Sequence, residues 1–242
     1  MEIKVFEDHK ALSKAVAEHI LSLIKDKPSA TIVLTSGDTP RQSYDMLAQI
    51  SKTEEFKDVL IIGLDEWVGI PAENEGSCQY IVSKHLLNPL GISALNYTFF
   101  NATAADLTKE CERIDSLIAA RGGLDLMLVG VGMNGHIGLN EPGSSFDSGC
   151  QITDLAPITV EIGQKYFSTA TPLTKGITIG LGHLLKAKEA ILMASGLGKA
   201  PILQRIQNEE ISEELPASVF KLHPNGKIWI DKAAHQEVQN VV

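Results

Sequence analysis

The chain has 242 residues, 44% of them hydrophobic and 21% charged, with a formal net charge of −9. That balance suits a soluble globular protein of one large α/β domain or two small ones, and the negative charge excludes a general nucleic-acid or membrane surface, which needs clustered Lys and Arg. Cys78, Cys111 and Cys150 are odd in number, far apart and outside any CxxC pair, which suits a reduced interior better than a disulfide framework; with no basic-then-apolar start and no apolar run long enough to span a bilayer, a cytoplasmic location is expected.

In chain order, Leu12, Ala15, Val16, His19, Ile20, Leu23 and Ile24 fall at helical spacing within Asp8–Ile24, and Pro28 closes that helix. Thr31–Leu34 predicts a strand, followed by Thr35-Ser36-Gly37-Asp38-Thr39-Pro40 and a helix over Arg41–Ile50. Val59–Leu64 predicts a second apolar strand ending at Asp65-Glu66-Trp67, and Gly76–Leu87 a helix. Cys111–Ala120 predicts a further helix leading into the apolar run Leu124–Val129, which ends in glycines as buried parallel strands do. Gly176–Leu181 and Glu189–Ala194 predict two more strands; the second passes through Ser195-Gly196-Leu197-Gly198-Lys199 into a helix reaching Ile206. Pro216–Val219 opens a short helix and Lys227–Asp231 a last strand. Alternating strands and helices predict a doubly wound parallel α/β sheet. Without repeats or a linker, residues 1–242 are expected to form a single domain.

The carboxyl ends of parallel strands share one edge, so Thr35–Thr39, Asp65–Glu66, Asn134–Glu141 and Ser195–Lys199 are expected to meet in one crevice. The most telling segment is Gly130–Ser145, which combines glycines that permit close backbone approach with His136 and, five residues on, Glu141. It reads as a catalytic loop, with a glycine-rich turn and a surface His as the competing reading. Ser36, Gly37 and Thr39 offer hydroxyls and N–H groups ahead of a helix, a ready phosphate site. An ordinary turn with Thr39 as N-cap and Pro40 at N1 fits the same residues, and Asp38 must point away from any anion. Lys199 could supply the cation. A carboxylate at a partly desolvated strand end, as at Asp65 or Glu66, is a natural base for a carbon acid, or else an exposed turn residue. No second His stands at ligand spacing from His136, so no metal site is expected; P-loop and GxSxG signatures are also missing.

Leu64–Val68, Gly132–Gly143 and Gly196–Lys199 together resemble the glucosamine/galactosamine-6-phosphate isomerase (deaminase) family over about residues 5–231. Leu64-Asp65-Glu66-Trp67-Val68, Gly122–Leu126 and Pro216-Ala217-Ser218 resemble its galactosamine-6-phosphate branch more closely. The resemblance implies a modified doubly wound, mostly parallel sheet with helices on both faces. It also implies an amino-sugar 6-phosphate substrate, opened and isomerised by C2–C1 proton transfer to a ketose 6-phosphate plus ammonia, without metal or organic cofactor. Asp65 would take the C2 proton. His136, oriented by Glu141 and Asn134, would handle the ring-oxygen proton, and Ser36, Gly37, Thr39 and Lys199 would hold the phosphate. Two departures accompany this: Asn134 stands where some members carry Asp, and Gly122–Gln164 holds no Lys or Arg. An allosteric site is therefore not expected, and the phosphate must lean on Lys199, backbone N–H groups or Arg41. A monomer or small homo-oligomer is expected. A 6-phosphogluconolactonase-like hydrolase, which shares the fold and the Gly-His strand end, is the enzymatic alternative; a non-catalytic sugar-phosphate-binding module is the other.

Overall fold

A computed structural model describes residues 1–236 of the 1–242 expected as one domain. Its ten strands are β1 (Glu2–Phe6), β2 (Thr31–Leu34), β3 (Leu60–Gly63), β4 (Asp65–Trp67), β5 (Tyr97–Thr98), β6 (Leu126–Val129), β7 (Gln151–Asp154), β8 (Lys175–Thr178), β9 (Ala190–Ala194) and β10 (Gly226–Asp231). The α-helices are α1 (His9–Asp26), α2 (Asp38–Ile50), α3 (Cys78–Val82), α4 (Asn88–Leu90), α5 (Leu107–Ala120), α6 (Pro157–Gly163), α7 (Leu181–Lys186) and α8 (Ala200–Asn208). Asp8 caps α1, accepting the Ala11 N–H at 2.7 Å.

Seven strands form a parallel sheet in the order β1-β10-β9-β6-β2-β3-β5. Successive residues of a strand face opposite sides, and the core divides accordingly. Val33, Ile62, Met127, Val129 and Leu192 face α5, α7 and α8 through Ile114, Ile118, Leu184 and Ile206. Ile32, Leu34, Ile61, Leu126 and Leu128 face α1 and α2 through Leu12, Val16, Ile20, Tyr44 and Leu47. Each such side chain contributes about 1.5–3 kcal/mol when fully buried, and two buried faces explain why these strands are apolar throughout rather than alternating. Helices on both faces make the sheet doubly wound, as expected.

The departure from a simple parallel sheet is a second, antiparallel one in the order β4-β8-β7. The chain leaves the main sheet at Leu64, so Asp65 and Glu66 open a new strand instead of ending the old one. Gly176–Leu181, expected as another parallel strand, pairs antiparallel with β4 through Lys175–Thr178. From β2 the chain winds outward to β3, whereas β6 leads the other way to β9 and β10. The carboxyl ends of β2 and β6 therefore flank a topological switch point, where open α/β sheets form their crevice.

Candidate active site

A cavity of about 350 Å³ lies at this switch point, within the ~300–1,000 Å³ usual for small-molecule sites. All four polar strand ends reach it: its walls include Ser36, Gly37 and Thr39 after β2, Asp65 on β4, His136 after β6 and Lys199 after β9. Glu141 stands behind His136 rather than on the wall.

Asp65 is buried, and its Oδ1 has no hydrogen-bond partner. Burial, reinforced by the neighbouring Glu66 carboxylate and opposed by a hydrogen bond with the Cys78 thiol, pushes its carboxyl up to about 7. Glu66 turns the other way, as alternation along a strand requires. It accepts the Ser77 hydroxyl at 2.6 Å and the N–H groups of Cys78 and Gln79, both at 3.0 Å. It thereby caps α3 and fixes the strand on which Asp65 sits.

The loop after β6 closes through the Gly132 N–H donating to the His136 carbonyl at 2.9 Å. The imidazole then lies directly over Gly132, where a Cβ would stand 2.2 Å from ring Cε1, so a side chain at 132 and this ring position are incompatible. His136 Nδ1 lies 3.2 Å from the Thr159 hydroxyl and 3.6 Å from Glu141 Oε2. Glu141 also accepts the Asn134 amide at 2.7 Å and the Ala156 N–H at 3.2 Å. Burial alone would raise its carboxyl. The hydrogen bond and charge of His136, with Thr159 and Asn134, outweigh that and hold it at about 2. Asn134 was expected to orient the imidazole. Its side chain instead binds Glu141 and accepts the His136 backbone N–H at 3.2 Å, because its amide donates away from the ring. Thr159 is the ring's second partner. Pro157, a favoured first helical residue, could have revealed α6 in the sequence, but nothing local marks Thr159.

At the other end of the cavity, α2 begins at Asp38 with Gly37 as its N-cap and no side-chain cap, so the competing reading of an ordinary turn capped by Thr39 does not hold. Gly37 has φ +110°, a region open chiefly to glycine, and this exposes the first N–H groups of the helix. Asp38 lines the cavity instead of turning away, and is neutralised by Arg41 at 3.1 Å and Lys165 at 2.7 Å. Lys165, one residue beyond the Lys- and Arg-free segment, brings a second ammonium to the wall beside Lys199. Its ammonium is raised despite burial, because Asp38 pairs with it. Burial and then Lys165 lower that of Lys199, whose Nζ donates to the Val131 carbonyl at 2.7 Å. Arg41 packs 5.8 Å from the centroid of the Tyr166 ring, behind the wall. Two cations, an open helix N-terminus and two hydroxyls form an anion cradle at one end. A poised carboxylate and a His–Glu pair stand at the other.

The family described as "Glucosamine-6-phosphate isomerases/6-phosphogluconolactonase" matches residues 7–229. The chain belongs to this family. It is 37% identical over 237 residues to the glucosamine-6-phosphate deaminase of Bacillus pumilus (strain SAFR-032), covering 97% of this chain and 98% of that one. It superposes on a monomeric glucosamine-6-phosphate deaminase with a TM-score of 0.92 at 31% identity, covering 97% of this chain and 98% of that one. With the 6-phosphogluconolactonase of Trypanosoma brucei it shares the fold alone: TM-score 0.78, 18% identity, coverage 96% and 97%. Among the described residues no helix is long and apolar enough to cross a membrane.

Proposed function

We propose that this family member is an amino-sugar 6-phosphate deaminase, converting glucosamine 6-phosphate or its C4 epimer galactosamine 6-phosphate, plus water, to the ketose 6-phosphate and ammonia. The observation that carries the reading is Asp65: a buried carboxyl pushed up to about 7, with an unpartnered oxygen on a cavity whose far end is an anion cradle. A base near neutrality suits removal of a proton next to a carbonyl. The relatives named glucosamine-6-phosphate deaminase support the same class.

In this reading Lys165, Lys199 and the N–H groups at Gly37–Thr39 hold the phosphate, with the Ser36 and Thr39 hydroxyls. His136 moves the proton of the ring oxygen. Glu141 keeps the Nδ1 side of the ring in place, which leaves Nε2 for the sugar. Opening the ring frees a C1 carbonyl and acidifies the C2 proton, which Asp65 takes and returns at C1. The double bond then lies between C2 and nitrogen, and water replaces nitrogen, releasing ammonia and leaving a C2 ketone. The similarity to a monomeric deaminase supports a monomer.

The test is ammonia release from both epimers, with 6-phosphogluconolactone as a third substrate. Ammonia from either hexosamine phosphate and no lactone hydrolysis is the expected result, and the relative kcat/KM assigns the C4 preference. Binding of either sugar without ammonia would make the chain a sensor, and lactone hydrolysis alone would make it a lactonase.

A further inference from the structure

Away from the cavity, three segments distant in sequence converge on a second group of reactive side chains. Asp115 lies on α5, Cys150 on the loop entering β7, and His183 on α7. One carboxylate oxygen, the thiol sulfur and one imidazole nitrogen all lie within 4.8 Å of one another. His183 Nε2 is 2.6 Å from Asp115 Oδ1, which also accepts the Cys150 N–H at 2.9 Å. None of the three lines the cavity, and the chemistry above uses none of them.

The backbone around them is fitted closely. At Gly180, a Cβ would lie 1.9 Å from the Gly149 carbonyl oxygen; at Gly149, a Cβ would lie 2.9 Å from Asp115 Oδ2. The Gly182 N–H donates to the Ser148 carbonyl at 2.9 Å, and the Leu181 N–H to the Ser148 hydroxyl at 3.1 Å. These contacts pin the segment bearing Cys150 against the start of α7, which bears His183. The group is half-buried: the Asp115 side chain is 37% exposed and that of His183 19%, so an ion can reach it without unfolding.

We propose that Asp115, Cys150 and His183 bind one zinc-class divalent ion, with water as the fourth ligand. A thiolate, an imidazole and a carboxylate form a donor set that favours zinc over magnesium or calcium. Zinc–nitrogen and zinc–oxygen bonds of about 2.0 Å and a zinc–sulfur bond of about 2.3 Å set tetrahedral donors roughly 3.3–3.5 Å apart. The His183–Asp115 contact of 2.6 Å therefore needs to open by about 0.7 Å, and the Cys150 sulfur, within 4.8 Å of both partners, needs to settle at about 3.5 Å from each. Binding replaces protons with metal: the thiol loses its proton to solvent as the sulfur–zinc bond forms, and Nε2 exchanges its contact with Asp115 for the ion. The ion would staple α5, the loop running from Glu141 to β7, and α7.

The experiment is titration of chelator-stripped full-length protein with Zn²⁺ and Co²⁺, counting bound metal and recording the Co²⁺ spectrum. Wild type should bind one Zn²⁺ per chain, show a thiolate-to-cobalt charge-transfer band, and melt at a higher temperature with zinc than without. Cys150→Ser should lose the band. His183→Gln should keep the fold and weaken binding by more than about 100-fold, beyond the ~10–100-fold typical of losing an outer-shell partner. His136→Ala, in the other site, should leave stoichiometry unchanged. Should Cys150→Ser fail to fold, the wild-type band and the His183→Gln affinity decide. Wild type that holds no zinc, zinc binding that survives His183→Gln, or binding lost in His136→Ala would overturn the proposal.

Discussion

The rate of C2 proton exchange should follow the ionisation of Asp65, and its pH dependence is large enough to measure. A carboxyl at about 7 is ionised to roughly 90% at pH 8 and roughly 1% at pH 5, so exchange with solvent deuterium under saturating sugar should fall about 90-fold. An ordinary carboxylate, with a pKa near ~4, would lose only about 10% over that range. Two neighbours provide opposed controls. Glu66 contributes to raising Asp65 and the Cys78 thiol to lowering it, so Glu66→Gln should move the acidic limb to lower pH and Cys78→Ala to higher pH. The assay is proton NMR of the C2 position in deuterated buffer. Exchange that stays flat between pH 5 and 8, or two variants that shift the limb in one direction, would refute the assignment of Asp65 as base.

Asp65→Asn should abolish exchange yet stabilise the fold at pH 8. A folded-state pKa of about 7 against ~3.9 unfolded means the folded state holds the extra proton, so the carboxyl's stabilising effect is complete below about 4 and lost as pH rises through 7; denaturant melts of both proteins should therefore diverge as pH rises, and parallel curves would refute this. Lys165→Met should raise KM for the sugar phosphate about 10–100-fold with kcat nearly unchanged, the loss of a charged hydrogen bond worth about 1.5–3 kcal/mol; a change under about twofold would remove Lys165 from the phosphate site. Gly132→Ala should cost most of the activity while leaving thermal stability nearly intact, since the new methyl occupies the space of the His136 ring; wild-type rates would show that the ring can work from elsewhere. Asn134→Leu removes a donor from Glu141, so that carboxyl should rise from about 2. Its stabilising contribution is present above about 4.3 and lost as pH falls toward 2, so acid unfolding should begin at higher pH in the variant, and an unmoved acid midpoint would falsify the role of the amide.

The polar strand ends were legible because each follows a buried apolar run, where a hydroxyl, carboxylate or imidazole is conspicuous. Thr35–Thr39, Asp65, His136 and Lys199 all reach the cavity on that logic. The layer from β7 through α6 was not legible, and β8 was legible as a strand but not as an antiparallel one. β7 is short and only partly buried, and α6 covers the crevice rather than the main core, so no strong periodicity marks either. Thr159, Lys165 and Tyr166 all come from this layer. The Lys- and Arg-free segment ends at Gln164, one residue before the lysine that faces the cradle. The sheet switch at Leu64 was equally silent, since an apolar run reads the same whether the next residue ends a strand or begins another.

Asp65 and Glu141 bear the same chemical group, and the fold drives them in opposite directions. Asp65 is buried beside a second carboxylate with one oxygen unpartnered, which disfavours its charge. Glu141, as buried by exposed area, is surrounded by donors from Asn134, Ala156, Thr159 and His136, which favour its charge. Separated titrations divide labour between two carboxyls: the one near neutrality can gain and lose a proton in each turnover, whereas the one held at about 2 stays anionic and can only position. The backbone enforces this division. The chain leaves the main sheet at Leu64, which turns Asp65 into the crevice and Glu66 onto α3, and the tight loop after β6 sets His136 between Gly132 and Glu141. Exchanging the two titrations would require changing the surroundings of each group, because neither side chain alone specifies which of them is poised near neutrality.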